Sequence, residues 1–129
     1  DYDGVVGYFT LANDAIQLSD NERFELGFDH DVQITFFPAV KLGRLAVHGA
    51  LQGQGVGAAI MQLVRGEVFD SDSLSAARFI ITDADNEERV LRFYEAMGFK
   101  DALFAAARQK REQPKRAPRT VKMWLDLLE

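Results

Sequence analysis

The chain has 129 residues, 47% of them hydrophobic, with 15 Lys and Arg against 20 Asp and Glu for a formal charge of -5. A chain of this size buries roughly 65–70% of the surface it exposes when unfolded, so one domain spanning residues 1–129 needs no disulfide or structural metal to fold. The absence of cysteine excludes thiol nucleophiles, Cys-ligated zinc and disulfide scaffolds, and two histidines, His30 and His48, leave little for a His-based metal site.

No apolar run approaches the ~18 residues of a membrane span, and the opening DYDGVVGYFT lacks the basic start of a signal peptide. The expected compartment is the cytoplasm, with no membrane partner. Residue 1 is Asp rather than Met, so the sequence is expected to be a trimmed or incomplete gene product.

In chain order, Gly4 to Leu11 (GVVGYFTL) reads as a strand, and Ala15 to Leu18 as a second one after the turn-prone pair Asn13-Asp14. Asp20 is placed to cap a short helix over Asn21–Gly27. In AVKLGRLAV the apolar positions Val40 and Leu42 are followed by Leu45 and Val47, so the alternation slips by one at Gly43-Arg44. In a buried strand that slip is what an inserted residue, a β-bulge, produces, and Gly43 suits it. Val56, Ile60, Leu63 and Val64 then predict an amphipathic helix fed by a glycine-rich turn.

Ala77–Thr82 (ARFIIT) is an apolar run of the kind found in interior strands. Asp85, with Glu88 three residues on, predicts the cap of a second helix, whose apolar stripe is Val90, Phe93, Tyr94 and Met97 and whose end is Gly98. Phe99–Phe104 and Val121–Leu127 are read as the last strands. Between them Arg108, Lys110, Arg111, Lys115, Arg116, Arg119 and Lys122 stand against the single Glu112, and Pro114 and Pro118 make part of this stretch an exposed loop. Alternating strands and helices give an α/β class, a single mixed sheet flanked by helices.

The segment Gln52-Gly53-Gln54-Gly55-Val56-Gly57-Ala58 carries the most chemistry. Its glycines leave a run of backbone N–H groups unshielded where a helix begins, with unpaired donors and the positive dipole end. Each contact of a phosphate with that end contributes ~0.3–1 kcal/mol. The plainer alternative is a turn whose glycines only allow close helix–sheet packing. Walker A requires Lys and then Ser or Thr after its last glycine, whereas Gly57 is followed by Ala58-Ala59. Gly53, Gly55 and Ala58 fit the dinucleotide pattern, but five residues, His48 to Gln52, separate Val47 from the first glycine, where that motif follows its strand directly.

RLAV, a short connection, Gln52-x-x-Gly55-x-Gly57 and then FYEAMGF (Phe93–Phe99) resemble the GNAT superfamily of N-acetyltransferases over roughly Gly4 to Leu127. The resemblance implies a GNAT-like fold and acetyl-CoA as cofactor. It places the CoA pyrophosphate on Gln52, Gly53, Gln54, Gly55, Val56, Gly57 and Ala58. The pantetheine then lies along the backbone of Leu45, Ala46 and Val47, beside a bulge that splays this strand from its neighbour. The family's first strand and the two helices after it have no counterpart before Gly4; either they were trimmed away or the chain is a reduced variant. The usual helix signature has Asn seven residues before the tyrosine; here Glu87 holds that place and Asn86 precedes it, which makes Asn86 a weaker cofactor contact than the turn.

Tyr94 is, by the same resemblance, the acid that protonates the departing thiolate. A phenol titrates near ~10 and a simple thiol near ~8.5, so the tyrosine keeps its proton at neutral pH and can share it. Its place on the apolar stripe equally fits a core residue with its hydroxyl at the edge. Val40–Val47 supplies no carboxylate for a general base; Asp83, Asp85, His48 and Arg44 are the polar groups nearest by motif position, and none is singled out. The acceptor is expected to be a primary amine on a small molecule or a protein. GYFTLA, LGRLAV and FYEAMGF also resemble the branch that includes bacterial toxins acetylating aminoacyl-tRNA, which implies tRNA and a ribbon-helix-helix antitoxin as alternative partners. A homodimer and a non-catalytic CoA- or protein-binding module are the remaining options.

Overall fold

The computed structural model describes residues 7–28, 36–47, 55–69 and 77–128. Among these residues, five strands and four helices follow one another as β1 (Gly7–Gln17), α1 (Asp20–Glu25), β2 (Phe36–Val47), α2 (Val56–Phe69), β3 (Phe79–Asp85), α3 (Glu88–Ala96), β4 (Lys100–Asp101), α4 (Leu103–Glu112) and β5 (Thr120–Asp126). The strands form one mixed sheet in the order β1-β2-β3-β5-β4, in which β2 and β3 are parallel and the other pairs antiparallel. The α/β expectation therefore holds. No helix among the described residues is long and apolar enough to cross a membrane.

Each face of the sheet has its own core. One collects Leu42, Met61, Val64, Ile80, Ala84, Tyr94, Phe99, Met123 and Leu125 beneath α2 and α3. The other collects Ile16, Leu18, Phe37, Ala39, Phe79, Ile81, Ala102 and Trp124, with Leu26 and Ala105 of the α1 and α4 side packed against it. The alternation of β3 explains the division, since Ile80 and Ala84 point to one face and Phe79 and Ile81 to the other.

Several sequence expectations are corrected by the tertiary structure. Asn13-Asp14 does not turn: β1 runs unbroken because eleven of its residues pair with β2. The first helix is capped by Ser19, not Asp20, in a reciprocal box with Glu22. On α2 the buried residues are Met61 and Val64, while Leu63 is 66% exposed. Asp85 is the last residue of β3, paired with Thr120, so the position before α3 falls to Glu87, which makes no side-chain cap. Gly98 does end α3, at φ 99°. Phe99–Phe104 holds only the two-residue β4 before α4 begins; Arg108–Lys122, by contrast, holds the expected exposed loop, residues 113–119, between the end of α4 and β5.

Ala102 gives α4 no side-chain cap. Glu22, only 2% exposed, supplies it from α1, accepting from the backbone N–H groups of Leu103 and Phe104, each at 3.3 Å, and from Trp124 Nε1 at 3.0 Å. Nearby, Arg78 grips Asp126 through two bonds of 2.8 Å and lies over the Phe28 and Phe79 rings. Burial pushes the Asp126 carboxyl up, but its bonds to Arg78 and to the Leu128 N–H, with the charges of Arg78 and Lys100, hold it below the usual carboxylate value.

Candidate functional site

The slip at Gly43 is a bulge. Thr10 of β1 pairs with Arg44 and Leu11 with Leu42, leaving Gly43 without an opposite residue. A Cβ at Gly43 would lie 2.7 Å from Thr10 Oγ1, so any larger residue here requires the Thr10 side chain to shift.

Pairing between β2 and β3 covers Ala39–Leu42 against Phe79–Thr82 and stops at the rung Leu42↔Thr82. Both strands continue, β2 to Val47 along β1 and β3 to Asp85 along β5. The sheet is thus forked beyond the bulge, and a cleft of about 470 Å³ opens in the fork. Its wall on the α3 side is Leu45, Thr82, Ala84, Val90 and Tyr94; by strand alternation, Arg44, Ala46, Asp83 and Asp85 belong to the opposite face, with Tyr8 beside them. On this inner edge the backbone of Leu45–Val47 makes no ladder pair with β3.

Tyr94 comes from α3 and is 8% exposed, its ring edge-on to Phe93 and Phe99. Burial raises its pKa above the ordinary phenol value; a hydrogen bond with the Thr82 side chain works against this, and the charge of Asp85 adds to it. Thr82 in turn donates to the Leu42 carbonyl at 3.1 Å. On the other face Asp83 lies 2.9 Å from Lys41 Nζ and 3.5 Å from Lys122 Nζ. Burial pushes its carboxyl up, yet the bonds and charges of the two lysines bring it below the usual range, and the Asp83 bond raises Lys41. Asp83 is therefore an ionised, doubly paired carboxylate and a poor proton acceptor.

Gly55 turns the chain into α2 at φ 78°, a conformation that favours glycine, and Val56, Gly57 and Ala58 form the first turn, which contains no acidic residue. Gln52, Gly53, Gln54 and both histidines lie outside the described residues. Asn86 does not line the cleft. Its amide donates to the Pro118 carbonyl and its N–H to Arg119, both at 2.9 Å, tying the basic segment to the end of β3. Thr82 and Tyr8 escaped the sequence reading; a lone hydroxyl inside the apolar run FIIT was the available signal for Thr82. Among the described residues no group of acidic or His side chains could hold a metal.

No curated protein matches the chain in sequence. Solved structures match its fold. One is a Tyr-to-Phe mutant of KacT, with a TM-score of 0.68 and 20% identity, covering 95% of this chain and 63% of that one. Another is AtaT complexed with acetyl-methionyl-tRNAfMet, with a TM-score of 0.66 and 20% identity over 94% of this chain and 62% of that one. A Tyr-to-Phe mutant of the AtaT toxin bound to the C-terminus of the antitoxin AtaR and acetyl-CoA has a TM-score of 0.54 and 21% identity, covering 96% and 60%. The chain thus spans about three fifths of the length of the structures it matches. A family model of the acetyltransferase (GNAT) domain matches residues 3–101, from before β1 through the fork, the glycine turn and Tyr94 to β4. The chain belongs to the GNAT acetyltransferase family.

Proposed function

We propose that the protein is an N-acetyltransferase that takes an acetyl group from acetyl-CoA and passes it directly to a primary amine. The observation that carries this is the fork between β2 and β3, with a tyrosine on its wall and a glycine-led helix start following β2. The site fits the cofactor by its donors. The unpaired edge at Leu45, Ala46 and Val47 offers backbone groups to the amides of the pantetheine. The N–H groups of Gly55, Val56, Gly57 and Ala58, with no acidic side chain in the turn to repel it, suit the pyrophosphate. Gln52, Gly53 and Gln54 complete that turn by motif, whereas Asn86, a candidate by motif, keeps its amide on the Pro118 carbonyl.

Acetyl-CoA supplies an acyl thioester when bound. Tyr94, kept protonated by burial, gives its proton to the leaving sulfur. Arg44, Asp83 and Asp85 line the face from which the amine approaches.

A second reading, acetylation of aminoacyl-tRNA, is favoured by one feature. The basic stretch is not remote from the cleft: Lys122 pairs with Asp83 of its wall, and Asn86 holds Pro118 and Arg119 against the end of β3. Cations therefore run outward from the acceptor face, as a polyanionic acceptor requires. Of the structures similar in fold, one is a complex with acetyl-methionyl-tRNAfMet and one a complex with an antitoxin segment, and an antitoxin partner belongs with this reading.

One assay tests both. CoA release is measured with polyamines, amino acids, peptides and aminoacyl-tRNA as acceptors, at several salt concentrations, beside calorimetry of acetyl-CoA. Gly57→Glu keeps a favourable residue at a helix start while placing an anion in the phosphate position, and binding is expected to vanish. Unchanged affinity in the folded variant overturns the cofactor assignment. Activity on tRNA that falls with salt, at a log–log slope of about 0.7–0.9 per phosphate contact, selects the second reading. Binding of acetyl-CoA without release on any acceptor leaves the non-catalytic module.

A further inference from the structure

A second cavity, of about 420 Å³, lies along α4 and is walled by Phe104, Arg108, Arg111 and Glu112. Among the described residues it shares none with the cleft of the fork. Positions 104, 108 and 111 stand four and three apart, so they share one face of the helix. The core does not account for the ring. Ala105 packs against the core on this side of the sheet, whereas Phe104 belongs to neither core and stays half-buried. Lys110 and Arg111 in the last turn complement the negative end of the helix, which explains their charge but not an aromatic wall beside it. Arg108 holds Glu112 at 3.0 Å, so the cavity presents a π-face, two guanidinium groups and one carboxylate, with one positive charge in excess.

These groups match three parts of a nucleotide. A base stacks on the ring, the guanidinium groups take phosphates, and the carboxylate accepts from a base amino group. An acidic peptide would use the arginines but gain nothing from the ring, and Glu112 would repel it. Cations also join this face to the acceptor side of the fork. Gln109 Nε2 donates to the Arg116 carbonyl at 3.3 Å, which fastens the loop carrying Lys115, Arg116 and Arg119 to α4. Asn86 holds the far end of that loop at Pro118, and Lys122 beyond it reaches Asp83.

We propose that this face of α4 is a subsite for an unpaired nucleotide of single-stranded RNA, its base stacked on Phe104 and its phosphates on Arg108 and Arg111. The proposal rests on the aminoacyl-tRNA reading, to which it adds a contact outside the cleft. A duplex hides the faces of its bases, so the subsite selects an unpaired segment.

The test is fluorescence anisotropy with a fluorescein-labelled single-stranded oligoribonucleotide and with the same sequence as a duplex. Phe104→Leu keeps an apolar side chain and removes the π-face. It is expected to weaken single-strand binding ~10-fold, the scale of one lost base stack, at an unchanged salt slope because no charge is lost. Phe104→Trp should retain the affinity. Arg111→Gln is expected to reduce the log–log salt slope by about 0.7, one phosphate's share on a single strand. Duplex binding should be the same for wild type and Phe104→Leu. Unchanged single-strand affinity in folded Phe104→Leu overturns the proposal, as does an equal loss on the duplex or tighter binding of a polyglutamate peptide than of the RNA. Should that variant not fold, crosslinking of a 4-thiouridine oligonucleotide to the wild type decides: a crosslinked peptide containing Phe104 supports the subsite, and crosslinks confined to other segments overturn it. Anisotropy and crosslinking need neither acetyl-CoA nor turnover. A wild type that releases no CoA with aminoacyl-tRNA therefore sinks the tRNA reading, whereas the subsite stands or falls on ring-dependent binding.

Discussion

Where β3 starts, its edges are paired with β2 on one side and β5 on the other. There the buried polar groups are tied to one another: Glu22 joins α1, α4 and β5, and Arg78 joins Asp126. Four residues further along, the same two central strands have separated, and their inner groups face a cleft. One sheet thus has a closed half, where β2 and β3 pair directly, and an open half, where the inner edge of β2 makes no ladder pair with β3. Gly43 and Thr82 mark the boundary. The difference leads us to expect that mutations in the closed half act chiefly on folding and those at the Tyr94 hydroxyl chiefly on chemistry.

The sharpest way to break that separation is in the open half. Tyr94→Phe keeps the ring against Phe93 and Phe99 and removes only the hydroxyl, so kcat should fall ~10²–10⁴-fold while acetyl-CoA affinity and thermal midpoint change little. Equal turnover would make Tyr94 a core residue alone. In the closed half the expected loss is in folding. Glu22→Ala leaves the Trp124 indole and two N–H groups of α4 without their acceptor, and should cost ~2–4 kcal/mol by denaturant titration. Activity per folded molecule should stay near wild type. A selective loss of activity without destabilisation would show that the halves are coupled.

The smallest effect is a pH dependence. Asp126 has a folded-state pKa below its unfolded value near ~3.9, so its contribution is complete above that value and disappears as pH falls through the folded pKa. Unfolding curves should therefore show stability declining below about pH 4, and Asp126→Asn should flatten part of that decline. No change of slope in the variant would mean that the Arg78 bond adds nothing to folding.

Local patterns carried much of this molecule. The bulge was legible because a strand's two-residue period makes a single inserted residue visible wherever apolar positions are known. The start of α2 and the end of α3 were legible because glycine at a positive φ is a property of one residue and its neighbours. Tyr94 and the glycine turn came through a motif of adjacent residues. What failed was every reading in which a distant strand or side chain held the answer. Asn13-Asp14 has turn chemistry, yet pairing along the whole of β1 overrides it. Asp85 has the look of a cap, yet β5 keeps it in the sheet. The start of α4 is invisible locally because its acceptor, Glu22, is 81 residues away from Leu103 in the chain. The sequence by itself therefore determined the class of fold and carried the family's motif, since period and turn chemistry act over a few residues. Only the tertiary structure decided where the strands part and that the basic segment borders the cleft, because those depend on contacts between segments that chain order keeps apart.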